Sequence, residues 1–223
     1  MDRLSVIISV QQDEKTIQRL LYQVGRLSPK ETILVIHGSK DRSIDIILNN
    51  SSCASTCYIY PFPLGEELWR SVGAKEATGD VWLFLQAGEV IAAEDMLPFI
   101  QACYQGVDIA LRKRQTMNGS WTVSLARAYV NSLFEKERLG TSSMSDLPYA
   151  MTQRASVEIG VDQLFVPPLA QAIALRKGLR VEAVHLLTGT VRGIRASRER
   201  ERTCLGDHLE AVAYWTEQHR DGH

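Results

Sequence analysis

The feature that most constrains this chain is a regular alternation of short apolar runs and amphipathic stretches over its first 85 residues. Leu4 to Val10 is continuous and β-branched, as expected of a strand buried on both faces. Asp13 and Glu14 then open a helix whose Ile17, Leu20, Leu21, Val24 and Leu27 recur at helical spacing, and Pro29 ends it. Thr32 to Ile36 is a second strand, followed by the turn His37-Gly38-Ser39-Lys40 and a helix with Ile44, Ile47 and Leu48 inward. Tyr58 to Tyr60 is a third strand, Glu66 to Ala77 a helix, and Val81 to Leu85 a fourth strand. Short links between alternating strands and helices predict a mostly parallel sheet with helices on both faces.

The rest reads less regularly. Ala93 to Gln105, Val123 to Lys136, Leu169 to Lys177 and Asp207 to His219 are predicted helices. The second of these has Leu125, Ala128, Tyr129, Ser132 and Leu133 near one face. Val107 to Leu111, Leu147 to Met151 and Leu179 to Val184 are predicted strands, and Gly178 caps the helix before the last of them. No repeat or low-complexity linker divides the 223 residues, so one domain is expected. A formal net charge of −1 argues against a nucleic-acid partner. No apolar run is long enough for a transmembrane span, and the N-terminus lacks the pattern of a signal peptide. The expected location is therefore cytoplasmic, with Cys53, Cys57, Cys103 and Cys204 as reduced thiols.

Parallel sheets of this kind bind ligands beyond the carboxyl ends of their strands. That rule directs attention to Ser9–Asp13, His37–Asp41 and Gln86–Glu89.

Three segments resemble family 2 glycosyltransferases. They are Leu4-Ser5-Val6-Ile7-Ile8-Ser9-Val10-Gln11-Gln12-Asp13-Glu14, Ile33 to Ser43, and Gly73-Ala74-Lys75-Glu76-Ala77-Thr78-Gly79-Asp80-Val81, in the family's order over residues 4 to about 110. The resemblance implies a single GT-A (Rossmann-like) domain over 1–223. Residues 1–110 would form the nucleotide-sugar half, and 111–223 the acceptor half with a C-terminal helix. It implies a nucleotide-diphosphate sugar donor, of UDP type, and Mg2+ or Mn2+ to neutralise the diphosphate. The donor would meet Ser9, Gln12, Asp13, His37, Ser39, Asp41, Arg70, Gln86, Gly88 and Glu89.

The chain departs from the family at three places. Gln86-Ala87-Gly88 stands where the Asp-x-Asp metal motif belongs, which leaves Glu89, read as a solvated loop acid, as the nearest carboxylate. Ile36 stands where an Asp would bind the base, with His37 beside it. Pro167-Pro168 stands where the general base belongs, leaving Asp162 and Asp146 as candidates. His208 could add a metal ligand from the C-terminal segment, although Asp207-His208 also reads as an N-cap and first helical residue. The arginine run around Arg195 could replace metal charge. Two functions are thus expected: sugar transfer, or an inactive descendant that keeps the fold as a binding or scaffold protein.

Overall fold

The computed structural model describes residues 3–49, 55–114, 120–187 and 198–220. Seven strands form one sheet in the order β3-β2-β1-β4-β6-β5-β7. They are β1 (Leu4–Val10), β2 (Glu31–His37), β3 (Ser55–Tyr60), β4 (Val81–Gln86), β5 (Ile109–Arg112), β6 (Tyr149–Thr152) and β7 (Val181–His185). Strands β3, β2, β1 and β4 are mutually parallel, and β5 pairs parallel with β7. Only β6 runs against its neighbours β4 and β5. The carboxyl ends of six strands and the start of β6 therefore share one edge.

The helices are α1 (Ile17–Gly25), α2 (Ser43–Leu48), α3 (Leu68–Glu76), α4 (Ala93–Tyr104), α5 (Trp121–Leu133), α6 (Gln153–Ile159), α7 (Pro167–Arg176) and α8 (Arg198–Arg220). Strand alternation sorts the core into two layers. Leu4, Val6, Ile8 and Val10 pack with Leu20, Val24, Met96 and Phe99 of α1 and α4 on one face. Ile7, Ile33 and Val35 pack with Trp69 and Ala74 of α3 and Ala170 and Ala174 of α7 on the other. The helix α3 lies directly on β1, because a Cβ at Gly73 would come within 2.3 Å of Ile7 Cγ2.

The first four strands lie where the sequence places them, within a few residues. Four details differ. His37 ends β2 rather than opening the turn, and Leu48 is 67% exposed while Ser43 is buried in its stead. The C-terminal helix is a 23-residue element, so Asp207 lies inside it rather than at its N-cap. The predicted face of α5 is inverted: Ser124, Arg127, Val130 and Asn131 turn inward, while Leu125 and Tyr129 face out.

That inversion is held by polar contacts. Asn131 donates to the carbonyls of Gly140 and Ser142, and Gln171 of α7 donates to Asn131 Oδ1 at 2.7 Å. Gln171 Oε1 in turn accepts the Met144 N–H at 2.8 Å. A network with its members satisfied can occupy an interior that apolar side chains would otherwise fill.

Candidate functional site

The carboxyl edge holds two polar centres. The first joins the loops after β1 and β2. His37 is 1% exposed. Its Nδ1 accepts the Leu64 N–H at 3.1 Å, so the ring proton sits on Nε2, which donates to Ser9 Oγ at 3.1 Å. Burial pushes the imidazole below its ordinary pKa, which keeps it neutral. Pro63 packs on Gly38, whose φ of 61° suits glycine.

The remaining polar groups of this centre bind one another. Gln12 donates to the Gly38 carbonyl at 2.7 Å. Asp13 accepts the Gln11 N–H, and its own N–H donates to Ser43 Oγ. Burial raises the Asp13 pKa, its Gln11 hydrogen bond opposes that, and the Asp41 charge adds to it. Asp41 accepts from Ser39 Oγ, the Ser43 N–H and the Glu14 N–H. Burial alone would raise Asp41, but these donors outweigh it and hold the carboxylate below its usual range. Asp41 thus anchors both the start of α2 and the loop after β1.

The second centre lies where the family's metal motif would stand. Gln86 ends β4 and Gly88 is exposed. Glu89 is not a solvated loop acid: its side chain is 16% exposed and lies 3.6 Å from Arg112 Nη1. Burial raises its pKa, Arg112 opposes the rise and Asp146 adds to it. Asp146, just ahead of β6, accepts from Arg127 at 2.9 and 3.0 Å and from Arg114 at 2.8 Å. Burial would raise Asp146, but the two guanidinium charges win and keep it ionised. Arg112 also donates to the Leu147 carbonyl at 2.7 Å. Three guanidiniums and two carboxylates therefore meet at the ends of β4, β5 and β6. Arg112, Arg114 and Arg127 escaped the sequence reading, because nothing local marks a strand-end arginine or an inward arginine on a helix.

Helix α8 packs against α5 and α7 beside this centre. His208 is 2% exposed and its Nδ1 lies 2.6 Å from the Cys204 carbonyl. Burial first, with Arg127 adding, drives its pKa down to about 4. Asp207 feels Glu67, and burial with that like charge raises it to about 6.

Of the two remaining expected residues, Arg70 lies at this same edge, in the first turn of α3 and donating to the Met144 carbonyl, and Asp162 lies elsewhere. Arg70 is 2% exposed, paired with Glu67, and sandwiched between the rings of Trp69 at 5.0 Å and Tyr149 at 5.3 Å. Asp162 is 75% exposed and pairs with Lys75 in the last turn of α3, toward the amino edge of the sheet. Arg195 and most of its run lie outside the described residues.

Mg2+ or Mn2+ does not fit the side chains present. A hard cation needs several oxygen ligands. Here Glu89 already faces Arg112, Asp146 is taken by two arginines, and His208 Nδ1 is committed to a carbonyl. Among the described residues no group of three or more His, Cys, Asp or Glu gathers to hold a metal.

A parallel β3-β2-β1-β4 sheet whose loops converge at one edge, followed by an antiparallel β6, defines the class: a GT-A glycosyltransferase fold. The comparisons agree. The chain superposes on a mannosyltransferase from Pyrobaculum calidifontis, in complex with GDP-Man and Mn2+, with a TM-score of 0.65 and 16% identity, covering 95% of this chain and 64% of that one. It superposes on glucosyl-3-phosphoglycerate synthase from Mycobacterium tuberculosis, in complex with uridine diphosphate, with a TM-score of 0.62 and 14% identity, covering 92% and 79%. In sequence it is 24% identical over 199 residues to the undecaprenyl-phosphate 4-deoxy-4-formamido-L-arabinose transferase of Serratia proteamaculans. That match covers 82% of this chain, which spans 60% of the relative's length. No protein-family model matches the chain. No helix among the described residues is long and apolar enough to cross a membrane.

Proposed function

We propose that this chain binds a nucleotide-diphosphate sugar at the carboxyl edge of its sheet and transfers the sugar without a divalent metal. The observation that carries this is the arginine cluster of Arg112, Arg114 and Arg127 around Glu89 and Asp146. Sugar transfer moves an electron pair onto the departing diphosphate as the acceptor oxygen bonds to the anomeric carbon, so positive charge must stand at the leaving group. Guanidinium supplies fixed charge with geometry suited to phosphate. The acceptor hydroxyl loses its proton as it attacks. Glu89, held above the ordinary carboxylate range, is the better base, because Asp146 is kept ionised by two arginines and is a weak proton acceptor. In this reading residues 1–110 supply the donor loops and Asp41, Asp13 and Gln12 shape them rather than touch the nucleotide. UDP is the nucleotide proposed.

A second function, an inactive descendant serving as a scaffold, is favoured by one observation. The polar groups of the loops after β1 and β2 are already bonded to each other. Thermal unfolding with UDP-, GDP- and dTDP-sugars, with Mn2+ and with a chelator, separates the two. At a hundred times the dissociation constant a donor adds about 2.7 kcal/mol. A shift that persists in chelator and disappears in Arg112→Ala supports transfer without metal. No shift with any donor leaves the scaffold role.

A further inference from the structure

The carboxyl edge carries one more polar pair, which the proposed reaction does not use. His185 ends β7, and Asp95 lies in the first turn of α4. His185 Nε2 stands 2.9 Å from Asp95 Oδ1, and a carboxylate oxygen only accepts, so the ring proton sits on Nε2. The ring also meets Phe99 at right angles, with centroids 6.0 Å apart. Two side chains of α4 therefore set the direction of the imidazole. Its backbone is held as well, since the His185 carbonyl accepts the Lys113 N–H at 2.7 Å.

This arrangement leaves Nδ1 with its lone pair. Nδ1 has no hydrogen-bond partner among the described residues. The His185 and Asp95 side chains are 29% and 30% exposed, so a ligand can reach them. His185 is the register partner of Arg112 on β5, and Arg112 faces Glu89. Neighbouring strands stand about 4.8 Å apart, so His185 and Glu89 flank one guanidinium. A molecule the size of a sugar ring can touch both. A lone pair backed by a carboxylate takes a hydrogen-bond donor and disfavours an anion, so it selects a hydroxyl rather than a phosphate at this point.

We infer that His185, oriented by Asp95, accepts a hydrogen bond from one hydroxyl of the acceptor and turns a neighbouring hydroxyl toward Glu89. The acceptor class is a polyol such as a sugar. Asp95 is a positioning residue that keeps the ring proton off Nδ1. The inference rests on the transfer reading above and adds to it the contact that orients the acceptor.

Heteronuclear NMR of the imidazole nitrogens in the full chain at pH 8 tests this. The chain has five histidines, and His185→Phe assigns the signal. The free protein should show a bare Nδ1 at His185. The probes are methyl glucoside, methyl mannoside and methyl galactoside, with inorganic phosphate as the anion. At least one glycoside should move the Nδ1 signal saturably at millimolar concentration, and phosphate should not. Glycoside binding should weaken about fivefold or more in His185→Phe. It should weaken likewise in Asp95→Asn, whose amide can donate to Nε2 and so move the ring proton to Nδ1. The thermal shift with UDP-sugars should be the same in both variants as in wild type, which a general loosening of the fold would not allow. A proton on Nδ1 in the free protein overturns the inference, as do saturation by phosphate and equal glycoside affinity in wild type and His185→Phe. A donor shift without any glycoside binding overturns this inference alone. Glycoside binding in a chain that no nucleotide-sugar stabilises overturns the acceptor role together with the transfer reading.

Discussion

The Arg127 guanidinium, on the inward side of α5, closes two hydrogen bonds of 2.9 and 3.0 Å on the Asp146 carboxylate ahead of β6. Arg127 is 7% exposed and Asp146 14%, so neither charge is well served by water. The pair ties α5 to the end of the sheet where ligands are expected.

Asp146→Asn removes the countercharge and leaves a buried guanidinium behind. Losing one partner of such a pair costs about 3 kcal/mol or more, measurable by chemical denaturation at pH 7. The Asp146 pKa is lowered in the fold, so its stabilisation is complete above the unfolded value of 3.8 and fades as pH falls below it. The acid limb of the stability curve should therefore be shallower in the variant. Wild type and variant should converge as the pH falls below 3.8 and Asp146 takes up its proton in the fold.

This pair shows where sequence reading stops. Strands β1, β2 and β4 were legible because burial on both faces demands unbroken apolar runs, the part-exposed edge strand β3 because it follows in the alternation with helices, and their loops carried a family's order of motifs. Arg112, Arg114 and Arg127 carry no such mark. Their partners lie 23, 32 and 19 residues away in sequence, and only the β4-β6-β5 pairing brings them together. The inward face of α5 was misassigned for a related reason. Periodicity finds an apolar stripe on a helix, but a polar network on the other face can decide which side is buried.

Arg112→Ala tests the charge that stands in place of a metal. The Arg112 and Glu89 side chains are 18% and 16% exposed at 3.6 Å, and Arg112 also donates to the Leu147 carbonyl, so the stability loss should be about 2–3 kcal/mol. Any donor-induced thermal shift should vanish, and Mn2+ should not restore it, since a freed Glu89 is still one carboxylate. Titration calorimetry with nucleotide-sugars and with Mn2+ alone gives both answers.

Two glycine substitutions should move stability in opposite directions. At Gly73 a Cβ would stand 2.3 Å from Ile7 Cγ2, so Gly73→Ala must push α3 off β1, at about 1–3 kcal/mol. At Gly206, inside α8, a Cβ would meet nothing within 4 Å. Gly206→Ala should raise stability by about 0.5–1 kcal/mol through helix propensity. If Gly73→Ala proves neutral in thermal unfolding, the close approach of α3 to the sheet is wrong.

Asp207 should behave as the inverse of Asp146. Burial and the nearby Glu67 charge raise its pKa to about 6, against 3.8 when unfolded. A raised acid binds its proton more tightly in the fold, so folding is favoured at low pH and the fold loses stability as pH climbs from about 4 to about 6. Above that window Asp207 is ionised in both states and the penalty is constant. Asp207 is only part-buried, so solvent screens the effect and its size will fall short of the full shift. Asp207→Asn should therefore raise the melting temperature at pH 8 and leave it unchanged at pH 4. Asp146→Asn lowers it at pH 8. Two carboxylate-to-amide changes on the same side of the sheet, with opposite signs at one pH, cannot arise from a general loss of negative charge. If both lower stability at pH 8, α8 does not hold Asp207 against Glu67 as described.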